Sequence, residues 1–273
     1  MRSCQSPPPT AGASTTVDRV RREVKAHTVE LCGPPGAGKS VVAGALAEHL
    51  VARGIQVSQP LALVAPTRRA TFRVGAKVLI ASRELARAPV DSVRALAAIH
   101  RSNQSVRDTL HRSLNWLVVR GLYRRARSRP GIHVFDQGVV QELCSIGYQG
   151  GDWCACLTAS GPGTAGLGPD LLIRVDASVE TAVARLTGRP GSQSRLERLD
   201  VDERKEELER QRRMLGEIEQ AWLERHGVAL ATQRLEVRND DGQLAQTLGA
   251  FIAHAIPAAW APSSRRAGSV SRP

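Results

Sequence analysis

The chain has 273 residues, which is enough for one α/β domain of roughly 200–250 residues. Hydrophobic residues make up 42% of the chain but aromatic residues only 3%, so we expect a core of Leu, Val, Ile and Ala. No apolar run approaches the ~20 residues that a membrane span needs, and the N-terminus lacks the apolar stretch of a secretory signal. We therefore expect a cytoplasmic protein whose scattered cysteines are free thiols.

Short apolar runs alternate along the chain with segments of helical spacing. Strands are predicted at 28–32, 55–58, 132–136, 171–175 and within 228–237. Helices are predicted at about 40–53, 71–87, 89–100, 103–127, 138–146, 178–186, 201–225 and 240–255. This alternation predicts a parallel sheet covered on both faces. A single domain is expected over 27–256, between a disordered leader (1–26) and a disordered tail (257–273).

A phosphate-binding loop follows the first strand. The motif is Gly33-Pro34-Pro35-Gly36-Ala37-Gly38-Lys39-Ser40, which is glycine, four residues, then Gly-Lys-Ser. Glycines let the backbone amides wrap around phosphates, and the following helix turns its positive end towards the anion. Lys39 is expected to reach the β- and γ-phosphates and Ser40 to ligate Mg²⁺. The predicted cofactors are therefore ATP and Mg²⁺, with GTP left open.

A carboxylate stands at the end of the third predicted strand, in Phe135-Asp136-Gln137-Gly138. Ligands bind at the carboxyl ends of parallel strands, so Asp136 is expected beside the phosphate loop. It is a candidate for holding Mg²⁺ together with Ser40, and for accepting the proton of an attacking hydroxyl. A simple helix N-cap is the competing interpretation, and the two are compatible.

With these motifs the chain resembles the small-molecule P-loop kinases, particularly the thymidylate kinase and nucleoside monophosphate kinase-like group, over about residues 28–255. The resemblance implies a three-layer sandwich of the P-loop NTPase type, with a five-stranded parallel sheet in the order 2-3-1-4-5. It also implies transfer of the γ-phosphoryl group of ATP to a small acceptor. Gln137 stands where thymidylate kinases usually carry an Arg that binds substrate phosphate, so the acceptor stays open.

The same resemblance assigns roles to two later segments. The loop at 188–199 corresponds to the kinase lid, and Arg185, Arg189 and Arg195 are candidates for stabilising the transferring phosphoryl group. A solvated basic loop is the alternative. Asn239 corresponds to a loop beside the adenine, although capping of a last helix explains it equally well.

The charge of the chain is concentrated in the helical insertion at 61–129. The net charge is +12, and this insertion alone has fifteen Arg or Lys residues against three acids. Together with Gln137, Arg68, Arg69 and Arg73 are candidates for binding an anionic acceptor, and a solvated basic face is the alternative. Nucleic acid is a less favoured partner, because the insertion has few aromatic residues for base stacking. An acidic membrane surface, which the helix at 103–127 could bind, is likewise less favoured.

Two further classes of function stay open. One is a regulatory ATPase or switch, in which Gln137 positions water and there is no acceptor pocket. The other is a module that binds nucleotide without turnover. A homodimer is also compatible with the sequence.

Overall fold

A computed structural model describes residues 26–64, 69–101, 105–148, 150–159, 167–188, 196, 199–227 and 233–240. Five strands form one parallel sheet in the order β2-β3-β1-β4-β5, which confirms the predicted order. The strands are β1 (Ala26–Cys32), β2 (Val57–Ser58), β3 (Gly131–Phe135), β4 (Leu171–Asp176) and β5 (Gln233–Arg238).

The strand β1 lies at the centre of the sheet. Its Val29 is in register with Val134 of β3 on one side and with Leu171 of β4 on the other. Every residue of β3 is buried. Parallel strands need long crossover connections, and these carry helices onto both faces of the sheet.

Eight α-helices occur in the described part of the chain. They are α1 (Lys39–Ala52), α2 (Ala70–Arg87), α3 (Pro89–His100), α4 (Val106–Arg127), α5 (Val139–Tyr148), α6 (Trp153–Ala159), α7 (Val179–Thr187) and α8 (Val201–Trp222). A 3₁₀ turn at Pro60–Val64 follows β2, and a π-helical turn at Leu223–Gly227 continues α8. None of the described helices is long and apolar enough to cross a membrane.

The core forms two layers, one on each face of the sheet. On one face, Val42, Leu46 and Leu50 of α1 pack against the sheet. On the other face a larger cluster joins residues of α4, α5 and α8 to the sheet. In this cluster the ring of Tyr123 stacks on that of Phe135, with 4.0 Å between centroids. The predicted three-layer arrangement is therefore present.

Several predicted boundaries differ from the structure. Residues 147–168 are predicted from their Gly, Ala and Ser content to be an irregular excursion with a possible helical turn inside. The structure has the helix α6 there, with Cys156 and Leu157 packed in the core. The first strand begins at Ala26, two residues earlier than predicted. Ala26, predicted as the end of the leader 1–26, belongs to this strand. The rest of that leader, residues 241–255 of the helix predicted at 240–255, and the predicted tail lie outside the described residues.

Candidate active site

The phosphate loop connects the end of β1 to α1, whose first residue is Lys39. Gly36 and Gly38 have φ angles of +81° and +89°, which residues with a Cβ rarely adopt. Space is also restricted, because a Cβ on Gly36 would lie 2.6 Å from the carbonyl oxygen of Ala182. The loop therefore needs its glycines for both conformation and packing.

The two polar side chains of the motif lie at the start of α1. Lys39 Nζ donates to the carbonyl oxygens of Gly33 at 2.7 Å and Pro34 at 3.1 Å, so the side chain lies across the loop. Ser40 Oγ donates to Asp136 Oδ2 at 3.0 Å. This hydrogen bond brings together the loop and the strand-end carboxylate, because β3 is the neighbour of β1.

Two of the other predicted residues contact backbone carbonyls of the loop. Asn239, directly after β5, is buried and donates through Nδ2 to the carbonyl oxygen of Ala37 at 2.8 Å. Arg185 Nη1, on α7, lies 3.4 and 3.5 Å from the carbonyl oxygens of Gly36 and Ala37. Arg185 Nη2 also lies 3.5 Å from the carbonyl oxygen of Asp240, so both side chains contact backbone carbonyls at and beside the loop. The adenine contact of Asn239 and the catalytic role of Arg185 stay predictions.

A cavity of about 480 Å³ opens beside Ser40 and Asp136. It lies between the 3₁₀ turn after β2 and the helices α1, α2, α4 and α5. Its lining combines an apolar wall with polar groups: Ser40, Ala43, Gln59, Leu61, Ala62, Val64, Lys77, Asn115, Val118, Val119, Val134, Asp136, Gln137 and Glu142. A second small molecule therefore has room next to the phosphate loop.

The residues predicted to bind an acceptor do not all lie at this cavity. Gln137 lines the cavity. Arg69 is exposed at the start of α2 and Arg73 is half-buried one turn later, and neither lines it. Arg68 and the lid residues Arg189 and Arg195 lie outside the described residues.

Lys77, Asn115 and Glu142 form a polar group in the cavity wall. Lys77 Nζ donates to Asn115 Oδ1 at 2.9 Å. The buried Glu142 carboxyl lies 3.7 Å from Arg112 Nη1, beyond normal hydrogen-bond length. Burial raises the pKa of Glu142 to about 7, although the Arg112 and Lys77 charges oppose the shift. Burial likewise lowers the pKa of Lys77. Burial thus disfavours the charged forms of both side chains, and this wall offers hydrogen-bonding groups with little net charge.

A second buried carboxyl, Glu30 on β1, connects the elements that meet at the site. Glu30 accepts hydrogen bonds from Tyr123 Oη at 2.6 Å and from the Gln141 backbone nitrogen at 3.0 Å. Gln141 Oε1 in turn accepts from the Gly33 nitrogen at 3.0 Å. Burial raises the pKa of Glu30 to about 7, against the opposing effect of these hydrogen bonds. Glu30 thus holds the start of α5 in place, and through Gln141 the start of the loop.

Sequence reasoning missed five of these residues: Glu30, Lys77, Asn115, Gln141 and Glu142. Weak signals existed for two of them. Glu30 is the one acid in the predicted strand 28–32, and Lys77 is the one lysine in the Arg-rich insertion. Gln141 and Glu142 follow Asp136 within two helical turns, but only the tertiary structure shows that they face the loop and the cavity.

The fold, together with the phosphate-loop motif at Gly33–Ser40, is that of a P-loop NTPase. A family model described as an AAA domain matches residues 17–220, most of the chain. The chain belongs to this AAA domain family. No curated protein sequence matches it.

Solved structures of a deoxyadenosine kinase from M. mycoides are similar to the chain. The structure with bound dCTP is 14% identical, with a TM-score of 0.42, and the one with bound dATP is 12% identical, with a TM-score of 0.47. A third, with the products dCMP and a flexible dCDP, is 14% identical with a TM-score of 0.46. All three alignments cover 83% of this chain, and 97% to 99% of the kinase. At these scores the similarity carries no conclusion about activity or substrate.

Proposed function

We propose that this protein is an ATP-dependent phosphotransferase that moves the γ-phosphoryl group to a hydroxyl of a small acceptor. The observation that carries this proposal is the cavity of about 480 Å³, whose lining includes both Ser40 and Asp136. A molecule bound there would lie against the end of the loop where the terminal phosphate is expected.

Each part of phosphoryl transfer has a candidate in this arrangement. The loop amides and Lys39 would hold the triphosphate. Ser40 and Asp136 would hold Mg²⁺, because a hydroxyl and a carboxylate oxygen 3.0 Å apart suit a hard cation. The metal, when bound, neutralises charge on the phosphate oxygens. Asp136 would also take the proton of the acceptor hydroxyl as its oxygen bonds to phosphorus and ADP leaves.

The arginines proposed for the transition state are Arg185, Arg189 and Arg195. A planar guanidinium can meet two phosphate oxygens at once as charge develops on them. For Arg185 the role requires its side chain to leave the loop carbonyls, which it contacts at the long distances of 3.4 and 3.5 Å.

The cavity lining favours an acceptor with an apolar body and a polar, hydrogen-bonding end over a strongly anionic one. Its ionisable side chains are Lys77, Asp136 and Glu142, with no excess of positive charge. Gln137, where thymidylate kinases usually carry Arg, also lines the cavity and offers no charge to a phosphate. The proposed enzyme is therefore related to the thymidylate kinase-like group but phosphorylates an acceptor that is not a monophosphate.

The test compares two leucines of the same 3₁₀ turn. Leu61 lines the cavity, whereas Leu63 lines a different one. Hydroxylated acceptors are screened for ATP consumption with wild type, Lys39→Ala, Leu61→Trp and Leu63→Trp. We expect one acceptor class to stimulate turnover. That stimulation should be lost in Lys39→Ala and in Leu61→Trp, and kept in Leu63→Trp. If the acceptor stimulates Leu61→Trp as much as wild type, the acceptor does not bind in this cavity.

A regulatory ATPase is the second candidate, and the exposure of Gln137 beside Asp136 favours it. A glutamine amide in that place can orient a water molecule for attack on the γ-phosphate. This function predicts turnover that is independent of every acceptor, unaffected by Leu61→Trp and reduced by Gln137→Ala. The same screen therefore separates the two candidates.

A further inference from the structure

Another cavity, of about 370 Å³, lies between the C-terminal halves of α2 and α4. We call it the arginine cavity. Its described lining is Ile80, Arg83, Glu84, Arg87, Gly121, Arg124, Arg125, Ser128 and Arg129. None of these residues lines the cavity beside the phosphate loop. The proposed phosphotransferase activity makes no use of it.

The two helices run side by side in the same direction. Lys77 of α2 contacts Asn115 of α4, and further along Glu84 contacts Arg120 and Arg124. Their C-terminal ends therefore lie side by side. Four exposed arginines surround the cavity at this point: Arg83, Arg87, Arg125 and Arg129.

The one acid among the lining residues is already neutralised. Glu84 is buried, and its Oε1 accepts from Arg120 Nε at 3.0 Å while its Oε2 accepts from Arg124 Nε at 2.8 Å. Within the part of the chain that the structure describes, none of the four exposed arginines has an acid at ion-pair distance. The cavity therefore holds four positive charges with no internal counter-charge.

Helix capping explains only part of this pattern. Basic residues are stabilising in the last turn of a helix, where they compensate the dipole, and Arg87 and Arg125 are in such positions. The dipole does not require arginines of two helices to line one concave space, nor does it account for Arg83 and Arg129, which lie outside those last-turn positions. Like charges brought together in this way repel one another, and a bound anion would relieve the repulsion.

We propose that the arginine cavity is a second anion site, which binds a small molecule through a chain of phosphate groups. Guanidinium groups bind phosphate oxygens bidentately, and four of them match several adjacent phosphates. The lining residues include no aromatic side chain on which a base could stack, so the phosphates are the recognised part. A concave site of this volume also suits a compact oligophosphate better than an extended nucleic acid.

Inorganic tripolyphosphate is the probe. The phosphate loop could also bind it, so binding at the loop is first weakened by Lys39→Ala. Binding is measured calorimetrically with Lys39→Ala as the background. The test variant adds Arg83→Ala and Arg87→Ala. A matched control adds Arg94→Ala and Arg107→Ala instead, which remove two exposed arginines outside the cavity. Circular dichroism verifies that each protein is folded.

The Lys39→Ala protein is expected to bind one tripolyphosphate, and the test variant to bind it roughly tenfold more weakly, as two exposed charge contacts warrant. The control is expected to bind like its background. Absence of saturable binding, or equal weakening in both double variants, would overturn the proposal. So would tighter binding of an RNA oligonucleotide than of tripolyphosphate at equal phosphate concentration.

A second measurement uses the wild-type protein and needs no substitution in the cavity. Phenylglyoxal modifies exposed arginines, and mass spectrometry identifies which ones react. Tripolyphosphate is expected to protect Arg83, Arg87, Arg125 and Arg129 while leaving Arg94 reactive. Protection that is uniform over all exposed arginines would mean diffuse charge screening and would contradict a defined site.

Discussion

The buried carboxyl of Glu142 gives a prediction that can be worked out quantitatively. It lies in the wall of the cavity beside the phosphate loop, and burial raises its pKa from 4.5 to about 7. The charged form is therefore unfavourable in the folded protein. Glu142→Gln keeps the shape of the side chain and removes its titration.

The sign follows from the proton equilibrium. The folded protein keeps this proton up to about pH 7, whereas the unfolded chain releases it near 4.5. Between these values a rise in pH favours unfolding, because unfolding releases a proton. The contribution of Glu142 to stability is fully present below pH 4.5 and is lost as the pH rises to about 7. At ~1.4 kcal/mol per pKa unit, the loss is about 3 kcal/mol.

The assay is urea unfolding of wild type and Glu142→Gln at pH 5, 6, 7 and 8. We expect the free energy of unfolding of wild type to fall relative to the variant by up to about 3 kcal/mol across this range. Glu48→Gln, which removes an exposed carboxylate from α1, controls for the loss of one charge. A difference between wild type and Glu142→Gln that stays constant from pH 5 to 8 would refute the reasoning.

Three further predictions concern the loop. Lys39→Ala should abolish the stabilisation by ATP, ~2.7 kcal/mol at 100 times Kd in wild type, as thermal unfolding measures. Gly36→Ala should destabilise the protein more than Gly54→Ala. Both glycines have a positive φ, which costs a residue with a side chain about 1–2 kcal/mol. Of the two, Gly54 alone has open space for a Cβ, so Gly36→Ala adds a steric clash. Asn239→Ala should cost about 1–2 kcal/mol of stability and weaken ATP binding, because a loop carbonyl loses its donor.

Each of these has a contradicting outcome. An unchanged ATP-induced shift in Lys39→Ala would exclude the loop as the nucleotide site. Equal losses for the two glycine variants would mean that the close approach to Ala182 is relaxed without cost. The control for Asn239 is Arg238→Ala, whose side chain is exposed. Weakening of ATP binding by Arg238→Ala as large as that by Asn239→Ala would argue against the loop contact.

The fold was accessible to sequence analysis because its signals are local. The phosphate loop is a continuous motif, and apolar strands alternate with amphipathic helices along the chain. The predicted strand order is confirmed by the structure. Asp136 was predictable as a neighbour of the loop because carboxyl ends of parallel strands meet at one edge, and its hydrogen bond with Ser40 places it there.

The cavity was not accessible in the same way, because its walls come from separate segments. Lys77 and Asn115 belong to different helices, and no local pattern marks their contact. Glu30 looked like an isolated acid in an apolar strand. Its partners are Tyr123 and Gln141, which are remote in sequence. The total charge of the insertion can be counted from the sequence, but which of its basic residues line a cavity depends on how α2 and α4 pack.

The central claim is that the site transfers a phosphoryl group to a molecule in the cavity, and its most direct test is to look for the product. Wild type and Asp136→Asn are incubated with ATP, Mg²⁺ and each hydroxylated acceptor, and phosphorylated acceptor is measured by mass spectrometry. We predict a product with wild type and a rate about 10²–10⁴-fold lower with Asp136→Asn, the range for loss of a general base. Conversion of ATP to ADP and inorganic phosphate at the same rate with and without every acceptor, and with no phosphorylated product, would contradict the account.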